Sequence, residues 1–72
     1  MAKIINHKGK EVEREKEQYT VKELDSMADV VTIYMAMHNK KDIDEILDKL
    51  TQVEASHVLR GGFYDYVRLS LK

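Results

Sequence analysis

Residues 20–38 constrain the fold more than any other stretch of this chain. Thr20-Val21-Lys22-Glu23 has the form of a capping box, in which the threonine hydroxyl and the glutamate carboxylate each accept from the other's backbone amide. The helix it opens is expected to run from Val21 to about His38, with Lys40 and Lys41 following near the negative pole of its macrodipole. Around the helical wheel, Leu24, Met27, Ala28, Val30, Val31, Ile33, Tyr34, Met35 and Met37 spread over roughly 240° of arc, against about 100° for an ordinary one-sided helix. Lys22, Asp25, Asp29 and Thr32 leave only a narrow polar strip. A helix this apolar needs cover on two sides.

The chain that must supply the cover is short. Its 72 residues make one domain. A domain of this size buries only about 60% of the surface its unfolded chain exposes, so dense packing or a partner is needed. With 43% hydrophobic and 35% charged residues, the composition is that of a globular protein. There are no cysteines, which excludes disulfides, zinc–thiolate sites and thiol nucleophiles. No apolar run is long enough for a signal peptide or a membrane helix, so a cytoplasmic protein without membrane attachment is expected. A net charge of −1 argues against a generic nucleic-acid binder, whose domains are strongly basic.

Upstream, residues 1–18 read as a charged β-hairpin. Lys3-Ile4-Ile5 is β-prone, and Asn6-His7-Lys8-Gly9 fits a type I turn with Gly9 at positive φ. The return arm carries Glu11, Glu13, Arg14, Glu15, Lys16 and Glu17 around Val12, the pattern of a charge-protected edge strand. Downstream, Ile43, Ile46, Leu47, Leu50, Val53 and Val58 recur at helical spacing and predict an amphipathic helix over 42–60, with Asp42 as N-cap and Glu45 at N3. Thr51-Gln52-Val53-Glu54 could recap a new helix, but the continuous apolar stripe favours a single one, stopped by Gly61-Gly62. The tail, 63–71, alternates as a strand, with Phe63, Asp65, Val67, Leu69 and Leu71 on one face. Phe63, Tyr66, Val67 and Leu71 would also form a helical stripe. Aromatic and β-branched content and the preceding glycines favour the strand.

The fold class expected is therefore α+β: a small ββααβ domain whose antiparallel sheet packs on two helices, the alternative being a mostly helical chain with an N-terminal hairpin. No repeat, linker or low-complexity segment marks a second module.

Chemistry-bearing groups are sparse. Glu54-Ala55-Ser56-His57 is a Glu-x-x-His sequence, as found in pairs in carboxylate-bridged metal bundles, but the inward glutamates of those sites are missing. A capped or partly buried histidine is the better account. His7 falls in the turn and His38 at a helix end, where a cationic imidazole suits the dipole. No nucleophile elbow, phosphate loop or dinucleotide motif is present. No catalytic residue, metal ligand or cofactor is assigned.

Contact remains. A homodimer or partner interface is expected at Met27, Val30, Val31, Tyr34, Met35 and Met37, since methionine adapts to varied partners. The function this implies is a small non-enzymatic regulator or inhibitor that binds another protein as a homodimer, in the economical manner of phage-encoded proteins. The alternative is a small nucleic-acid-binding transcriptional regulator contacting its target through Lys8, Lys10, Arg14, Tyr64, Tyr66 and Arg68, with tyrosines stacking on bases. Glu11, Glu13, Glu15 and Glu17 interleave with the hairpin cations and weaken that field.

Overall fold

A computed structural model of the chain describes residues 1–71. The order is β1 (Ala2–Ile5), β2 (Glu11–Arg14), α1 (Val21–Ala36), α2 (Lys40–Leu47) and α3 (Gln52–Ser70). The fold is α+β and mostly helical, ββααα rather than the expected ββααβ.

The hairpin forms as the turn chemistry requires. β1 and β2 pair antiparallel, with Ala2 opposite Arg14 and Ile4 opposite Val12. The Asn6 side-chain oxygen accepts from the amides of Lys8 and Lys10, and Gly9 sits at φ +84. These bonds hold the loop without a third strand.

The capping box at Thr20 opens α1 as expected. The helix ends two residues short of His38, in a turn normally built on glycine. The His38 amide donates to the Met35 carbonyl and the Asn39 amide to that of Tyr34, the paired bonds of a Schellman motif. His38 occupies its left-handed position at φ 57. Asn39 then caps α2, accepting from the Asp42 amide, so α2 begins before the expected Asp42 cap.

The continuous helix over 42–60 is not formed. α2 stops at Leu47, and Thr51 recaps α3 with Glu54 in a second capping box. The cause lies far away in sequence. Carbonyls left free at the end of α2 receive donors from the hairpin: Asp48 O from Asn6 Nδ2, Lys49 O from Arg14 Nη1 and Leu50 O from the His7 amide. Helix-end carbonyls must find partners, and here they find them without a glycine cap. The break also turns Leu50 inward, to 1% exposure.

The strand expected at 63–71 is helix. Gly61-Gly62 does not stop α3; it lies inside it, against α1. A Cβ on Gly62 would fall 2.8 Å from Val31 Cγ1, and one on Gly61 would fall 3.1 Å from Ala28 Cβ. The glycines are therefore where the two helix backbones approach each other. Thr32, assigned above to the polar strip, is buried there, its hydroxyl within bonding distance of the carbonyls of Ala28 and Gly62.

Asp25 meets His57, Ala28 meets Gly61 and Thr32 meets Gly62, so α1 and α3 run in the same direction. Short α2 is the return between them. The core is Leu24, Ala28, Val31, Leu47, Leu50, Ala55 and Val58, with Tyr19, Met27, Met35, Ile43 and Ile46 packed around it.

Candidate interaction surface

The interface expected on α1 divides in two. Val31 is fully buried and belongs to the core, while Met27 and Met35 pack against that core. Tyr34 is half-buried beside α2. Only Val30 and Met37 of the expected set stand exposed, with Ile33 between them at 57%. Their three- and four-residue spacing puts Val30, Ile33 and Met37 on one outward face. The wheel did not show which part of the apolar arc stays wet. α3 takes the side carrying Asp25, Ala28 and Thr32, and the leftover stripe follows from that choice.

Two of the depressions that flank the helices are lined in part by Tyr34. One, of about 400 Å³, lies where α1, α2 and α3 meet and is lined by Tyr34, Met35, Ile43, Phe63 and Tyr66, with His38 and Lys40 at its edge. The other, of about 730 Å³, separates the hairpin from α2 and has Glu13, Asp42, Glu45 and Asp48 on its walls beside Lys49.

α3 supplies a face that the strand reading concealed. Leu59, Phe63, Val67 and Leu71 recur every four residues on it and all are exposed. The spacing was visible in the tail, but it carries meaning only once residues 63–71 are helical.

The expected nucleic-acid contacts are scattered. Arg14 is internal, its side chain only 2% exposed. It forms a two-pronged pair with Glu54, bonds the carbonyls of Lys16, Lys49 and Glu17, and lies 4.4 Å from the Tyr19 ring centroid. It is therefore a structural arginine, withdrawn from any external ligand. Lys8 is exposed but paired with Asp48 at 3.2 Å. Lys10 is exposed in the turn. Tyr64 and Arg68 lie together on α3, the guanidinium 5.8 Å from the ring centroid, while Tyr66 is half-buried in the groove by Met35.

The Glu-x-x-His pair is also pulled apart. Glu54 turns to Arg14; His57 reaches across to Asp25, 3.0 Å away. Burial would raise the Glu54 carboxyl, but hydrogen bonds from Arg14 and Thr51 outweigh it and hold it below the usual range. Its hydrogen bond to Glu54 raises Arg14 in turn. A hydrogen bond from Lys8 lowers Asp48, outweighing the burial that opposes it, and a hydrogen bond from His7 adds a lesser contribution. Among the described residues, no group of three or more His, Asp or Glu side chains is placed to hold a metal ion. No helix there is long and apolar enough to cross a membrane.

No family model, curated protein or solved structure matches the chain.

Proposed function

We propose that the protein is a non-enzymatic interaction module that acts by binding another protein, and that it does so as a homodimer. The observation that carries this reading is the exposed stripe Val30–Ile33–Met37 on α1. The chain is so short that every buried apolar side chain counts towards stability, yet this one leaves the most apolar helix partly uncovered. Methionine and isoleucine on a rigid helix offer an adaptable surface to a target's apolar side chains. Regulation or inhibition of the target would follow from occupancy alone.

The test is capture of partners by the tagged full-length protein from its native cells, with and without nuclease. A stoichiometric protein that survives nuclease and is lost with Ile33→Asp supports the reading. Recovery of nucleic acid, or loss of all partners on nuclease treatment, overturns it in favour of a nucleic-acid-binding regulator.

A further inference from the structure

We infer that the groove where α1, α2 and α3 meet takes an acidic segment of the target protein, with a large apolar side chain seated among Met35, Phe63 and Tyr66 and a neighbouring carboxylate set against Lys40 and His38. This rests on the reading of the protein as an interaction module, and adds to the α1 stripe a second contact of specified chemistry.

The groove is built from each of the three helices. Tyr34 and Met35 of α1, both expected at an interface, line it together with Ile43 of α2 and with Phe63 and Tyr66 of α3. Phe63 and Tyr66 lie three residues apart on one face of α3, and Phe63 is 61% exposed. An apolar hollow of about 400 Å³, open to solvent, takes a protruding side chain rather than enclosing a whole small molecule. Aromatic side chains carry much of the binding energy at protein contacts, and methionine adapts its shape to what arrives.

Charge names the occupant. The chain has a net charge of −1, and four other depressions on its surface each carry two or more carboxylates in their walls. This groove carries none, and has Lys40 and His38 at its edge. Both are exposed, and among the described residues neither lies in an ion pair. Asp42 bonds Asn39 and, with Glu45 and Asp48, lines the depression on the hairpin side of α2. Aromatic rings alone would accept a cation on their faces; Lys40 and His38 beside them reverse that preference and admit an anion. The backbone points the same way. His38 holds φ 57, a conformation that strains any residue but glycine, in a Schellman turn where glycine is the ordinary choice. Stability favours glycine there, so an imidazole kept at the edge of the groove is accounted for by what it contacts outside the chain.

The test titrates the isotopically labelled full chain with the blocked peptide acetyl-Ser-Gly-Asp-Leu-Trp-Asp-Asp-Gly-Ser-amide, and with its counterpart bearing lysine at each aspartate. Amide NMR shifts are expected at Tyr34, His38, Lys40, Ile43, Phe63 and Tyr66. The acidic peptide should bind about tenfold or more tightly than the lysine one, with the difference shrinking as salt is raised. Phe63→Ala and Lys40→Glu should each weaken binding about fivefold or more with unchanged helical circular dichroism, because both side chains are exposed. His38→Gly should weaken binding while raising the melting temperature, a combination that a purely structural histidine would not give. No shift at about 1 mM peptide, shifts confined elsewhere, or equal binding of the lysine peptide overturns the inference. So does phenylacetate bound as tightly as the peptide, which makes the occupant a small anion. Groove shifts that disappear when the protein alone is diluted make it a second copy, and overturn it too. If the peptide fails to bind while Ile33→Asp still loses a captured protein, target binding stands without this contact. If the peptide seats in the groove and Ile33→Asp loses nothing, only the reading of the stripe fails.

Discussion

Arg14 and Glu54 stand forty positions apart in sequence and meet fork to fork, Nη1 to Oε1 at 2.6 Å and Nη2 to Oε2 at 3.0 Å. Glu54 also accepts from the Thr51 amide at the start of α3. One carboxylate thus caps a helix and anchors the hairpin. The arginine's remaining donors take up the carbonyls of Lys16, Glu17 and Lys49, so the charge is both paired and hydrogen-bonded, as its burial demands.

Glu54→Gln should lower stability by about 3 kcal/mol, because it leaves the buried guanidinium without a counter-charge. Glutamine keeps the capping-box geometry, so the loss reports the ion pair rather than the cap. Urea denaturation measures it. Adding Arg14→Met to this variant should restore part of the loss; simple additivity of the two changes would mean that the pair is not coupled.

Gly62→Ala should destabilise by about 1–2 kcal/mol. The new methyl meets Val31 Cγ1 and the Ala28 carbonyl, and that overpacking outweighs the roughly 1 kcal/mol that alanine gains as a helix former. Gly61→Ala, facing only the Ala28 methyl at 3.1 Å, should cost less. Thermal melts of the two variants in the reverse order would show that the helices do not approach at Gly62.

His38→Gly should stabilise by about 0.5–1 kcal/mol. A non-glycine residue in the left-handed region carries steric strain, and glycine removes it while retaining the Schellman bonds, against some added freedom of the unfolded chain. The check is the urea midpoint at constant slope.

Stability should fall on acidification below about pH 4.5. Glu23 is held at about 2, chiefly by its hydrogen bond from Lys16, and Glu54 is held below the carboxylate value of 4.5. Both pKa values are depressed in the folded state. Their contributions are thus complete above the unfolded value and disappear as pH drops through the folded one. Denaturation midpoints from pH 7 to 2 should trace this loss, with a shallower decline in Glu54→Gln. An equally steep decline in that variant would remove Glu54 from the account.

Local signals were legible at Thr20 and at Asn6, where the bonding partners are near in sequence, but not at Asn39, which caps α2 in place of the expected Asp42. Thr20 with Glu23, Asn6 with Gly9, and the hairpin they imply are each complete within a few residues. Thr51-Gln52-Val53-Glu54 carried a capping box of the same form, and the apolar stripe running past it made the break easy to pass over. The tail shows the opposite limit. Its alternation suited a strand, but a strand needs a partner edge, while as a helix the segment packs beside α1.

What the sequence determined by itself was the helical phase of the apolar residues of α1 and the chemistry of the Thr20 cap and the Asn6 turn, because those depend on neighbours three or four positions away. Tertiary structure decided three further things. Gly61-Gly62 became a helix contact because Val31 and Ala28 arrive at that point; Arg14 became an internal residue because Glu54 and the freed carbonyls of the α2–α3 junction surround it. The third was the side of α1 left in water: α3 runs parallel to α1 along Asp25, Ala28 and Thr32, and the stripe Val30–Ile33–Met37 is what remains outside. Each is a contact between residues some thirty or more positions apart, whose formation depends on packing that no local pattern encodes.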